Sequence, residues 1–392
     1  MMALSVKHQP TGTTYLPAYN DNIFIVTESD SGVYGNYNFK FICDVKDGSG
    51  NLISRLRTPI YYGSTNKGVF NISRLLENYV TNDWDYNDSA ASGCTNSVFG
   101  YQASFGYEYS TGATSAIVQT TGVSTTTGVT IWNAALDPLT FLSYDEDNYW
   151  MSTSASGTAS FLTNNQSKKL PIDAKAWLYA LHGSNVASVD VAFSPSGTAS
   201  ISVPSGTLAR IPIGSNIPGG IPVGTTSFTC TPKNSGGSQV GKAYTITIDD
   251  RCSKYPTTDL YFLNRLGGVD TMRFDMVKRT NFDIERKTYK ANPFTLNNSA
   301  VTFTYDTAAH SNSDFFTQST ERITLNSNLL TEAEAEWLKE LLMSPRVWMY
   351  DGTLKAVNIL TSQYEQKTHI NDKAFNLTLE VTTSIPDKSQ RL

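Results

Sequence analysis

Apolar and polar residues alternate with a period of two along much of this chain. Phe375, Leu377, Leu379 and Val381 are separated by Asn376, Thr378 and Glu380. One face of that segment is therefore apolar and the other wet, as a half-buried strand requires. The same alternation runs through Val189, Val191 and Phe193, through Tyr244, Ile246 and Ile248, through Met272, Phe274 and Met276, and through Val301, Phe303 and Tyr305. Strands with one wet and one dry face belong to antiparallel sheets. Turn residues at Ser194, Pro195, Ser196 and Gly197 predict a hairpin over 187–203, and Asp47-Gly48-Ser49-Gly50-Asn51 predicts another between strands at 37–46 and 52–57.

Helical spacing is convincing twice. Ile72, Leu75, Leu76, Tyr79 and Val80 follow Asn71, whose side chain can accept amide hydrogens of the first turn. Thr331 and Glu334 have the spacing of a capping box ahead of an apolar stripe of Trp337, Leu338, Leu341 and Leu342, with Pro345 just beyond. Each stripe is one-sided, so each helix is expected to lie on a sheet. Residues 93–128 are rich in Ser, Thr and Gly and residues 214–241 in Gly and Pro. Both keep alternating Val, Ile, Tyr and Phe and read as strands with exposed loops. No repeat of fixed period is present, which sets aside solenoids and propellers.

The expectation is a mainly β chain: antiparallel β-sandwich domains with two short helices, the C-terminal domain being a β-sandwich with one packed helix. With 392 residues the chain exceeds what one core usually organises. Three domains are expected: an N-terminal β-sandwich with one helix at 1–145, a middle β domain at 146–252, and a C-terminal β domain with the capped helix at 253–392.

Composition narrows the function. Charged residues make up 17%, below the typical ~25%, so Ser, Thr, Asn, Gly and Tyr must cover the surface, which suits packing against other protein. Charge also usually blunts the open edges of sheets, so edges here are expected to invite strand addition. A net charge of -5 offers no basic footprint for phosphates, and direct nucleic-acid binding is not expected. Residues 1–19 are polar with two prolines where a secretory peptide would be apolar, and no run of eighteen apolar residues occurs. Neither a signal peptide nor a membrane span is expected. Cys43, Cys94, Cys230 and Cys252 occur singly, which predicts buried, inert thiols of a reducing cytoplasm and not a disulfide or zinc framework.

Candidate chemistry is sparse. Gly236, Gly241 and Lys242 have phosphate-loop spacing, but Ala243 stands where a hydroxyl is needed and a strand follows where a helix must begin. Asp83, Asp85 and Asn87 resemble the opening of a calcium loop that then lacks its glycine and its glutamate. Asp145, Glu146 and Asp147, like Asp249 and Asp250, read as hydrated acids. His8, His182, His310 and His369 have no ligand partner at metal spacing and read as surface or interface residues. No Gly-x-Ser-x-Gly elbow exists. A polysaccharide hydrolase would need two carboxylates at catalytic separation, which only space can test. The expectation is no enzyme, no cofactor and no metal. The remaining lead is aromatic: Tyr101, Phe105, Tyr107 and Tyr109 alternate along one strand and share a face, which could be core, subunit interface or a glycan-binding surface.

Four phrases carry a resemblance: FNISRLLENYV at 70–80, FLNRLGG at 262–268, ITLNS at 323–327 leading into TEAEAEWL at 331–338, and HINDKAFNLTL at 369–379. They resemble a group of virion proteins from phages infecting Bacteroidetes, over about residues 17–385. The resemblance implies a virion structural protein made in the host cytoplasm, a tail or baseplate component that assembles as a homo-oligomeric ring and docks other phage virion proteins. It implies no catalytic residues. The alternative is a receptor-binding or carbohydrate-binding adhesin that meets a host-surface glycan or protein, motivated by the tyrosine-rich strand.

Overall fold

The computed structural model describes residues 4–10, 14–126, 128–152, 158–165, 168–297, 299–300, 302–361 and 376–389. Phe375, Val301 and His369 lie outside these. Strand accounts for 47% and helix for 9% of the structure, so the chain is mainly β, built of antiparallel sheets with a few short helices. It divides into two compact units, residues 1–250 with 263–270, and residues 251–262 with 271–392.

The first unit holds two sandwich cores. In one, a three-stranded sheet of Ser5–His8, Ile23–Thr27 and Lys67–Asn71 faces a six-stranded sheet that includes Tyr37–Asp47, Leu52–Thr58, Val98–Ser110 and Ile117–Thr125. Phe24 and Phe70 from the first sheet reach the Phe105 ring of the second, at 5.3 and 6.0 Å between centroids. The sheets approach so closely that a Cβ at Gly68 would lie 2.4 Å from the Phe41 ring. Only glycine fits there. The predicted turn after Asp47 is present, and the Asp47 carboxylate accepts the amides of Ser49 and Asn51.

In the other core, a five-stranded sheet including Ser188–Ser194, Thr198–Ser202, Ser227–Lys233 and Tyr244–Asp249 packs on Trp177–Leu181 and Leu208–Pro212. Val189, Val191, Phe193, Ile246 and Ile248 are buried, as their alternation predicts, against Leu178, Ala180 and Ile211. Among the described strands two pairings are parallel, Tyr15–Pro17 with Val129–Trp132 and Lys169–Pro171 with Tyr244–Asp249, where only antiparallel neighbours were expected. Periodicity reports which face is dry, not strand direction.

Residues 263–270 form a tight turn counted with the first unit, although the strands on either side belong to the second. Asn264 organises it: its Oδ1 accepts the amides of Leu266 and Gly268, and its Nδ2 donates to the Leu162 carbonyl. Trp132 Nε1 donates to the Leu266 carbonyl. Gly267 has φ +87°, and a Cβ there would sit 2.2 Å from the Asn133 oxygen.

The second unit is built on an eight-stranded sheet with helix packed on one face, beside a separate two-stranded hairpin. Glu332–Trp337 and Lys339–Met343 follow each other through a turn at Leu338. The capping box forms: Thr331 Oγ1 accepts the Glu334 amide while Glu334 accepts the Thr331 amide. Trp337, Leu338 and Leu341 bury their stripe against Phe262, Ile323, Leu379 and Val381. The helix predicted near residue 72 is shorter than expected, Ser73–Leu76 followed by the 3₁₀ turn Glu77–Tyr79, with Ile72, Leu76 and Val80 buried and Tyr79 exposed. Two helical turns without an apolar stripe, Ser31–Tyr34 and Pro138–Leu142, were not foreseen. Both start at an aspartate cap, Asp30 and Asp137, and the second also has Pro138 at its first position.

Candidate functional site

Tyr101, Phe105, Tyr107 and Tyr109 do share one face of Val98–Ser110, and that face points inward. Tyr101 and Phe105 are fully buried, and the Tyr101 hydroxyl accepts from Asn22 Nδ2 at 2.6 Å. Tyr107 and Tyr109 are half-buried, the former near the ring of Phe39. Two of the four rings are thus core side chains with no surface to offer a sugar or a partner.

The acidic and glycine-rich motifs have structural employment. Asp83 binds the amide and Nδ2 of Asn96, Asp85 accepts the Asn87 amide, and Asp88 pairs with the buried Arg210. Glu146 accepts the amides of Thr14 and Tyr15, and burial raises its pKa. Residues 236–243 turn the chain between Ser227–Lys233 and Tyr244–Asp249, with the Asn234 side chain accepting the amides of Gly236 and Ser238. Among the described residues no group of three or more His, Cys, Asp or Glu is placed to hold a metal ion, and no helix is long and apolar enough to cross a membrane.

Two expectations need correction. His182 is not a surface residue: it is fully buried, and neither ring nitrogen meets a hydrogen-bond partner. Burial lowers its pKa from 6.5 to about 4, so the imidazole is neutral. It lies in the short turn after the all-buried strand Trp177–Leu181, where chain direction and not residue type sets its depth. Cys252 is exposed, whereas Cys43, Cys94 and Cys230 are buried with thiols pushed up to about 12.

The surface most unlike ordinary protein exterior lies in the second unit. Arg279–Lys290 pairs along its whole length with Asn312–Asn326. Thr378–Thr383 and Asp387–Lys388 flank the latter strand only from Gln318 onward. Beyond that point the two strands continue as a two-stranded ribbon of five residue pairs, roughly 17 Å long, that no other described strand flanks. At its end Phe294–Asn297 pairs with Thr302–Tyr305 in a separate small hairpin. We refer to residues 279–326 as the arm.

Register fixes which side chains share a face of the tip hairpin. Phe294 stands opposite Tyr305 and Leu296 opposite Phe303, so all four large apolar side chains lie on one side, with Thr295 and Thr304 on the other. The rings touch edge-on, Phe303 and Tyr305 at 5.4 Å. Together with Phe282, Ile284, Tyr289 and Phe315 these side chains are 42–65% exposed. Phe282 and Ile284 prolong the face that carries the buried Ile323, since Thr280 stands opposite Ile323. The sheet's dry face therefore continues past the helix that covers it.

Six of the arm's charged residues meet in ion pairs. Arg322 meets Asp283 at 3.0 Å, Lys287 meets Glu285 at 3.6 Å and Arg286 meets Asp314 at 3.9 Å. Five cations (Arg279, Arg286, Lys287, Lys290, Arg322) balance five anions (Asp283, Glu285, Asp306, Asp314, Glu321), giving zero net charge in a chain of -5. The edge strand is the charged one: six of the twelve residues of Arg279–Lys290 are ionic. Open strand addition, expected from the low overall charge, is therefore discouraged at this edge. What the arm leaves unsatisfied is apolar area.

Sequence reading saw Phe303 and Tyr305 alternate but placed them in a half-buried strand; here they are exposed. Phe282, Ile284, Phe294 and Leu296 were missed. A usable signal was present, because residues 291–311 hold several large apolar side chains but one charge, Asp306. No family model matches this sequence, and no curated protein matches it.

Proposed function

We propose that this chain is a bacteriophage virion structural protein, a tail or baseplate component that assembles with copies of itself into a ring and docks other virion proteins. The virion setting rests on the sequence resemblance. The associative role is carried by one observation: a β arm whose exposed apolar side chains have no cover among the described residues of their own unit. Contiguous exposed apolar surface on a soluble fold marks a contact surface. The reading assigns no reaction to the chain, and its acidic motifs hold backbone amides instead of converging on a cleft. The adhesin alternative drew on four rings of Val98–Ser110, and with Tyr101 and Phe105 in the core it keeps only two of them.

An antibody to the purified protein, applied to virions and viewed by negative-stain microscopy, tests the proposal. Regular decoration of the tail or its base is expected; absence of the protein from particles would sink it.

A further inference from the structure

We propose that the apolar face of the tip hairpin is a self-association surface whose occupant is the same face of a second copy, the two packing as a small four-stranded, two-layer sandwich. This rests on the assembly reading above and adds to it a two-fold contact between copies, distinct from the head-to-tail contacts that close a ring.

A lone two-stranded hairpin is marginal in water and needs a second layer on its dry face. Here Phe294, Leu296, Phe303 and Tyr305 make that face, and among the described residues no other element covers it. An identical face supplies the missing layer, because an isologous two-fold contact requires only that a patch be complementary to itself. Charge decides between occupants. Two chains of net charge -5 repel, but the arm is neutral and its ion pairs close within it, so approach through the arm is the route that repulsion opposes least. A basic or acidic partner would find nothing to complement. The extent is modest: the four exposed apolar side chains of this face, at about half their area, offer on the order of 400 Å² per copy, which suits a weak, reversible contact.

The test uses the full chain in analytical ultracentrifugation over a hundredfold concentration range, beside Phe303→Asp. Reversible dimers, weakened at least tenfold by Phe303→Asp at unchanged melting temperature, are expected. In a Cys252→Ser background, Leu296→Cys should cross-link between copies under mild oxidation, whereas Thr295→Cys on the opposite face should not. Three results would overturn the proposal: a monomer throughout, a dimer indifferent to Phe303→Asp, or equal cross-linking from both faces. Flotation with phosphatidylcholine vesicles that Phe303→Asp abolishes, without any dimer, would also overturn it and give the face to a membrane. A monomer that still decorates virions removes this inference alone; a protein missing from virions removes the reading it rests on.

Discussion

Single residues here are governed by depth more than by type. His182 shows this most sharply, as a buried imidazole with no partner costs about 1–3 kcal/mol while neutral and more once charged. Its folded pKa, about 4, lies below the unfolded 6.5. Between those values the unfolded chain binds a proton that the folded chain does not, so this residue removes stability as pH falls from 6.5 towards 4, and nothing further below. The full loss is about 3 kcal/mol. Urea midpoints at pH 7 and pH 4.5 should therefore move closer together in His182→Leu than in the wild type, and an unchanged gap would contradict this. Gly68 makes the same point through space. Alanine there drives a methyl into the buried Phe41 ring, and a loss of about 1–3 kcal/mol in denaturant unfolding is expected. Neither effect is visible in the sequence, where His182 is one polar residue and Gly68 one more glycine. Tyr101 and Phe105 were correctly placed on one face, but periodicity cannot say whether a face meets solvent or another sheet.

At the scale of elements the sequence was most informative where a local chemical device accompanied the period. Thr331 and Glu334 predicted a helix start to the residue because capping depends on neighbours three positions apart. Thr331→Ala removes one partner of that box and should cost about 1 kcal/mol, read as a lower thermal midpoint with the folded circular-dichroism spectrum retained. Hairpins announced by Asp47-Gly48 and by Pro195-Ser196-Gly197 formed for the same local reason. Residues 302–305 had the period without the burial. Their alternation is real and puts Phe303 and Tyr305 on a dry face, yet no described layer of this unit covers it. The parallel pairings of Tyr15–Pro17 and Lys169–Pro171 escaped for a related reason, since both are three-residue strands whose partners are more than seventy residues away.

For the whole molecule, the domain pattern differs from a simple division in chain order. Three cores draw on residues 4–131, 151–248 and 260–381, but the first two belong to one compact unit. That unit also takes in the turn 263–270, whose Leu266 carbonyl accepts from the buried Trp132 Nε1, while the Arg265 carbonyl accepts the Ala135 amide and Arg265 Nε donates to the Ala135 carbonyl. A chain truncated after Asp250 loses these partners and leaves a buried indole donor unpaired. It should melt several degrees below the corresponding transition of the full chain and fluoresce with altered tryptophan emission. An identical transition would show that the turn adds nothing to the unit.

Sequence by itself determined the mainly β class, most strand faces, the principal turns and the capped helix, because these depend on side-chain period and on contacts a few residues apart. It also determined the low charge that makes an associative role physically reasonable. Tertiary structure alone decided which dry faces are closed and which stay open. Tyr101 and Phe105 vanish beneath a second sheet while Phe294, Leu296, Phe303 and Tyr305 do not. Burial is a property of what the rest of the chain brings to a face, and that depends on pairings between strands far apart in sequence.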